Sequence, residues 1–286
     1  MERSGAGRGP VLGGVVVASR PTPPEIVVEA SPDLLAENTA GRLVATLVSA
    51  QSVRPVAHLA LTGGGILEQV MSALRELPGR DAVDWRRVHI WWGDERYVAS
   101  DSPERNDTAA YTALLDVLPL NPALVHRMPA ADAGFGDDVE AAAEAYAAEL
   151  ADAVAPDRHQ SSGGDDDVPR FDVVMLGIGP DGHCASLFPE HPGVYEHDAP
   201  VIAVHNSPKP PPTRLSLTFR ALDAANEVWF LASGDSKSRA VAMALGGAGR
   251  VQVPAAGPRG RHRTLWLIDR AAAAKLPQNL YKPPVG

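Results

Sequence analysis

Short apolar runs alternate with longer stretches of helical period along most of the chain. The runs Glu25–Ala30, His58–Thr62, Arg87–Trp92, Phe171–Leu176, Val201–His205, Arg214–Thr218, Val228–Ala232 and Thr264–Ile268 predict strands. Between them, Pro32–Ala50, Ile66–Leu77, Arg105–Leu115, Val139–Ala153 and Ser236–Leu245 predict helices. Asp33 and Glu37 suit the start of the first helix, where carboxylates meet the positive end of the helix dipole. Unbroken apolar runs such as Val173-Val174-Met175-Leu176 suit central strands buried on both sides. The alternation predicts an α/β fold: a mainly parallel sheet with helices on both faces. The later strands have little helix between them, which predicts a small antiparallel portion.

Residues 1–23, rich in Gly, Arg and Pro, read as a disordered N-terminal extension. Arg3 and Arg8 ahead of the apolar run Val11–Ala18 imitate a signal peptide, but its two glycines and the missing cleavage pattern argue against one. Residues 156–170 read as a surface loop, so a single α/β domain is expected over residues 24–286. A net charge of −9 sets the surface against nucleic acid, yet a local cluster of Arg and Lys can still hold a small phosphorylated ligand. No apolar stretch reaches membrane-spanning length, so no membrane partner is expected. Cys184 is the one cysteine, which rules out a disulfide framework within the chain and fits a reducing, cytoplasmic setting.

Three predicted strand ends carry unusual residues, and in open α/β sheets ligands bind outside the carboxyl ends of strands. Leu61-Thr62-Gly63-Gly64-Gly65 brings backbone close to a ligand at a helix N-terminus, with Gly63 and Gly64 as contacts. A tight strand–helix turn is the structural alternative, and the spacing is not that of a dinucleotide fingerprint. Trp92-Gly93-Asp94-Glu95-Arg96 ends a strand in three charges. Arg96 suits a phosphate through its planar fork, while Asp94 or Glu95 would hold that fork or meet substrate hydroxyls. A surface salt bridge is the plainer reading for any one of the three.

Leu176-Gly177-Ile178-Gly179-Pro180-Asp181-Gly182-His183 runs an apolar strand into a glycine-rich loop. Gly179 keeps this loop close to a ligand. His183 suits general-base work at neutral pH, and Asp181 would orient it. Cys184 and Ser186 lack the setting of a nucleophile, since no Gly-x-Ser-x-Gly elbow surrounds them. His183, His191, His197 and His205 fall in no compact metal-ligand pattern, and no cofactor or metal is expected. Lys209, Arg214 and Lys237 complete a set of cations that, with Arg96, would converge on a phosphate. Lys237 stands in the first turn of a predicted helix, where a cation opposes the dipole unless it meets an anion.

These segments, in this order, resemble the 6-phosphogluconolactonase family. The matching stretches are Leu61–Gly65, Trp92–Arg96, Gly177–Pro189, Ser207–Arg214 with the strand from Arg214 to Leu222, and Gly234–Lys237. The resemblance implies a Rossmann-like fold shared with glucosamine-6-phosphate deaminases and ribose-5-phosphate isomerases. It also implies opening of a phosphosugar lactone by water that His183 activates, and a monomer or weak homo-oligomer is expected. The chain departs from the family at Ile66-Leu67, where Ser-Thr is usual, and at Cys184, where Thr is common. It departs again at Arg105-Asn106, where a Ser-Asn pair is common, so that only Asn106 carries over as a binding residue. An amino-sugar-phosphate isomerase or deaminase, or a non-enzymatic sugar-phosphate sensor, are the alternatives.

Overall fold

The computed structural model describes residues 23–154 and 167–281. The expected extension, apart from residue 23, and most of the expected loop at 156–170 lie outside the described residues. Nine strands are assigned: β1 (Glu25–Glu29), β2 (Ala57–Leu61), β3 (Val88–Trp92), β4 (Asp94–Arg96), β5 (Val173–Gly177), β6 (Val201–Val204), β7 (Arg214–Leu217), β8 (Glu227–Ala232) and β9 (Arg263–Asp269). The helices are α1 (Pro32–Val53), α2 (Gly65–Glu76), α3 (Asn106–Ala113), α4 (Val139–Val154), the short α5 (Phe219–Leu222) and α6 (Ser238–Leu245).

Six strands form one parallel sheet in the order β1-β9-β8-β5-β2-β3, and β4-β7-β6 form a second, antiparallel sheet. The predicted mainly parallel architecture with a small antiparallel part is what the chain adopts. Val173, Val174, Met175 and Leu176 on β5 are all at most 1% exposed, as an unbroken apolar run in a central strand requires. α1 starts at an N-cap, Ser31, whose Oγ accepts from the Leu34 N–H at 3.2 Å, with Pro32 in the first turn. α1 and α2 pack side by side, α1 also touching β1, β2 and β9, and α2 touching β5 and β8; α4 packs on β6 and β7.

The connections decide where a ligand can enter. The chain leaves β2 through α2 towards β3 on one side, and it leaves β5 towards β8 on the other. The carboxyl ends of β2 and β5, neighbours in the sheet, therefore lead into loops that diverge. The space between them is the topological switch point at which α/β sheets hold ligands.

Away from that cleft, three histidines stack on one another. His58 of β2 lies 4.3 Å from His89 of β3, ring to ring, and His89 lies 5.1 Å from His126. Glu149 of α4 accepts from His126 Nδ1 at 2.6 Å, which leaves His126 Nε2 to accept from His89 Nδ1 at 2.8 Å. Burial first, then the neighbouring His126, lowers the His89 pKa to about 4 from an ordinary 6.5. Burial, His89, Arg54 and His126, in that order, also hold His58 well below the usual range. The unfolded chain takes up protons at His58 and His89 as pH falls through 6.5, whereas folded His89 resists until about 4 and folded His58 is also held below its ordinary range. Stability is thus fully present above pH 6.5 and is lost on acidification across that window. The melting temperature should fall between about pH 7 and 4.5, with a shallower slope in a His89→Gln variant. Parallel slopes in wild type and variant would reject the stack as the cause.

Candidate active site

A cleft of about 490 Å³ opens at the switch point. Its walls come from Thr62–Leu67 after β2, Gly177–Gly179 and His183 after β5, and Leu231–Ser233 at the end of β8. The second sheet adds Asp94 and Arg96 from β4 and Arg214 from β7, while Asn106, Lys209 and Lys237 close the rim. Of the residues singled out in the sequence, Gly63, Gly64, Asp94, Arg96, Asn106, Gly179, His183, Lys209, Arg214 and Lys237 meet here.

The β2 turn explains its glycines sterically. A Cβ on Gly63 would collide with Asn106 Oδ1 and stand 3.0 Å from Arg96 Nη1. Gly64 has φ 126°, a conformation that L side chains rarely adopt, and it caps α2 without a side-chain bond. The first N–H groups of α2 are therefore available to an anion. Ile66 and Leu67 line the cleft with apolar side chains, so polar contact from this stretch of the turn falls to backbone.

Arg96 is oriented by its surroundings: its Nη1 donates to Asn106 Oδ1, and Asn106 Nδ2 donates to the Asp94 carbonyl at 2.8 Å. Glu95 is placed differently from the expectation. It does not line the cleft but is 1% exposed, and its two oxygens accept from the backbone N–H groups of Arg96 (2.8 Å), Asn106 (2.7 Å) and Asp107 (2.9 Å). Glu95 caps the start of α3 and fixes Asn106 and Arg96; it has no route to a substrate hydroxyl. Burial pushes its carboxyl pKa up to about 7, against the opposing charge of Arg105 and the donated backbone N–H groups. Arg105 is sealed with it, bonded to Asp107 at 2.7 Å and to the Met128 carbonyl at 2.7 Å.

The β5 loop holds the acid–base candidates. His183 Nδ1 lies 2.5 Å from Asp181 Oδ1. Burial alone would raise the Asp181 pKa, but the His183 hydrogen bond and the charges of His183 and Lys209 outweigh it and hold the carboxyl well below the usual range. An ionised Asp181 only accepts, so Nδ1 carries the proton and the lone pair on Nε2 is left for other chemistry. Gly179 is glycine because a side chain there would overlap the His183 ring. Asp181 itself is not among the residues that line the cleft and reaches it through His183. Phe188 packs 4.7 Å from the His183 ring centroid and supports it.

The cations divide into two groups. Lys209 Nζ lies 3.2 Å from His183 Nδ1 and 3.4 Å from Asp181 Oδ1. Lys237 Nζ donates to the Ile178 carbonyl at 2.7 Å; burial first, then the Lys209 charge, lowers its pKa, with Asp181 opposing. Two ammonium groups near one carboxylate leave positive charge for an anion to balance. Lys237 ends a short 3₁₀ turn and caps α6 rather than standing inside the helix. Arg214 shares its guanidinium with the carbonyls of Pro210 (2.9 Å), Pro211 (3.2 Å) and Lys209 (3.2 Å), so much of its role is to hold that loop.

The two weighed nucleophiles are sealed. Cys184 and Ser186 are both 0% exposed. Burial drives the Cys184 thiol well above its ordinary range, with Asp94 and Asp223 adding to the effect, so it stays protonated. Ser186 Oγ donates to Asp94 Oδ2 at 2.7 Å. No group of three His, Cys, Asp or Glu side chains among the described residues is arranged to hold a metal ion. Thr62, Gln69, Pro210 and Leu231–Ser233 also line the cleft and were not anticipated. The position of Thr62 and Ser233 at strand carboxyl ends was the available signal.

A cleft at the switch point with more cations than carboxylates defines a Rossmann-like protein that handles a small anion. A family model described as glucosamine-6-phosphate isomerases/6-phosphogluconolactonase matches residues 30–266, and the chain belongs to that family. It is 55% identical to a 6-phosphogluconolactonase of Streptomyces coelicolor over 91% of this chain and 97% of that one. It is 47% identical to the 6-phosphogluconolactonase of Mycobacterium tuberculosis over 86% of this chain and 95% of that one. Among solved structures, the 6-phosphogluconolactonase of Trypanosoma brucei superposes with a TM-score of 0.73 at 28% identity, covering 89% of this chain and 99% of that one. A monomeric glucosamine-6-phosphate deaminase, 21% identical with a TM-score of 0.67, covers 88% of this chain and 99% of that one and shares the fold.

Proposed function

We propose that this protein is a hydrolase that opens 6-phosphogluconolactone to 6-phosphogluconate. The observation that carries the reading is the His183–Asp181 pair facing a cation-rich cleft with its Nε2 lone pair unused. His183 takes a proton from water as the water oxygen attacks C1. The tetrahedral intermediate then collapses, the C1–ring-oxygen bond breaks, and the ring oxygen receives the proton. Backbone N–H groups of the glycine turns stabilise the oxyanion. Arg96 and Lys237, with Lys209 or Arg214, hold the phosphate and so position the carbonyl against the base. These steps need no cofactor.

Isomerase or deaminase chemistry on the same fold needs a carboxylate free to move a proton at C2. Asp94 is the carboxylate that lines the cleft, and its oxygens already accept from Thr62 Oγ1 at 2.6 Å and Ser186 Oγ at 2.7 Å. This favours hydrolysis. The deciding experiment follows freshly generated 6-phosphogluconolactone by NMR, corrected for spontaneous opening, beside an ammonia assay on glucosamine-6-phosphate. Ammonia release without lactone turnover would reject the reading.

Arg96→Ala removes a charge-assisted contact and should raise KM about 10–100-fold with little change in kcat. An unaltered KM would remove Arg96 from the phosphate site. No helix among the described residues is long and apolar enough to cross a membrane. The unpaired Cys184 suits a reducing compartment, and we place the enzyme in the cytoplasm as a monomer or weak homo-oligomer.

A further inference from the structure

The cleft has two halves built by different parts of the fold. One contains the Gly63–Gly65 turn, Arg96 and Asn106; the other contains the loop that carries Gly179 and His183. A six-carbon substrate gripped at one end and attacked at the other reacts only while these halves keep their separation. Three side chains bridge them. Thr62, which opens the glycine turn, donates from Oγ1 to Asp94 Oδ1 at 2.6 Å. Ser186, three residues after His183, donates from Oγ to Asp94 Oδ2 at 2.7 Å. Thr62, Asp94 and Ser186 are 5%, 4% and 0% exposed, so solvent does not compete for these bonds.

The bridge is anchored at its centre and at its far end. Asn106 Nδ2 approaches Asp94 Oδ1 at 3.4 Å and donates to the Asp94 carbonyl at 2.8 Å. The Ser186 N–H donates to Ser216 Oγ at 3.2 Å, and Ser216 is the residue of β7 paired in register with Asp94 of β4. The His183 loop turns sharply on either side, with φ 89° at Gly182 and φ 46° at Ala185, so a fixed point at Ser186 sets where the imidazole lies.

We propose that Thr62, Asp94 and Ser186 form a positioning bridge that fixes the distance between the anion-holding half of the cleft and the base-bearing half. Ser186 acts on turnover through the His183 loop, and Thr62 acts on binding through the glycine turn. The inference rests on the lactonase reading above. It gives Ser186 a role that does not require it to be a nucleophile, and it makes Asp94 a structural acceptor rather than a proton carrier.

The test measures kcat and KM on fresh 6-phosphogluconolactone for Ser186→Ala and Thr62→Val, with Ser186→Cys and Thr62→Ser as variants that keep a donor. Ser186→Ala should lower kcat about tenfold with KM within about twofold, because misplacement of the base costs rate. Thr62→Val should raise KM about tenfold with kcat within about twofold, and Thr62→Ser should recover most of that loss. Ser186→Cys, a weaker donor, should fall between Ser186→Ala and wild type. Loss of folded enzyme alone would also lower apparent kcat at constant KM, so kcat is referred to the folded fraction measured by circular dichroism, and if Ser186→Ala does not fold, the Thr62 pair and Ser186→Cys still read the two arms. Both arms shifting the same parameter, no shift in either, or no recovery in Thr62→Ser would overturn the bridge while leaving an active wild type as support for the lactonase reading. A wild type without lactonase activity would overturn both.

Discussion

His183→Ala lowers kcat by about 10²–10⁴-fold and leaves KM within about threefold, the expected signature of losing a general base that does not grip the substrate. The residual rate has a physical source. The lactone is an activated ester that opens slowly in water, and the cations and backbone donors of the cleft remain in place to hold it. His183 is 17% exposed at its side chain, on a loop held by Phe188 and the Gly179 contact, so truncation removes the imidazole without opening the core. A pH-stat record of acid release, with the spontaneous rate subtracted, measures the drop directly. A variant that turns over at the wild-type rate would remove His183 from the chemistry.

Much of the main sheet could be read from the sequence because parallel strands buried on both sides leave unbroken apolar runs. The eight predicted strands match β1, β2, β3 and β5 to β9 within two residues at each end. β4 escaped for the opposite reason. Asp94, Glu95 and Arg96 look like a charged strand end, yet they pair antiparallel with Ser216, Leu215 and Arg214. The two carboxylates are tolerated there because donors from Thr62, Ser186, Asn106 and Asp107 reach them, and Arg96 because Asn106 Oδ1 accepts from it, all from segments that only the fold brings together. The same ignorance of partners misplaced Glu95, since a carboxylate beside a phosphate-binding arginine and one beneath a helix start look identical in one dimension. α5 was missed because four residues are too few to show a helical period. The histidine stack was also hidden: His58, His89 and His126 are far apart in sequence, and strand register makes them neighbours.

The glycine-rich segments were legible for a different reason. A side chain at Gly63 or Gly179 would strike Asn106 or His183, so each glycine marks a place where chain and functional group share one volume. Sequence shows that such a place exists but not what fills it. That is why the convergence of Arg96, Lys209 and Lys237 was an expectation until β4, the Ser207–Arg214 turn and the 3₁₀ turn ahead of α6 were seen around one cleft.

Asp181→Asn tests the other half of the dyad, and its effect should approach that of losing the base. In the native arrangement the ionised carboxylate accepts from Nδ1 at 2.5 Å, and this keeps the proton on Nδ1 and the lone pair on Nε2. The amide nitrogen of asparagine would donate to Nδ1 instead. Lys209 Nζ, already 3.2 Å from Nδ1, would push in the same direction once the carboxylate no longer draws it away. Both donors select the tautomer with its proton on Nε2, which presents a donor to the water where a base is required. The size of the side chain barely changes, so the fold and the phosphate contacts should survive, and kcat should drop about 10²–10⁴-fold at near-constant KM. Nitrogen-15 NMR of the imidazole reports the tautomer independently of turnover. A wild-type rate in the variant, or an Nδ1–H tautomer that persists without the carboxylate, would show that Asp181 does not set the state of the base.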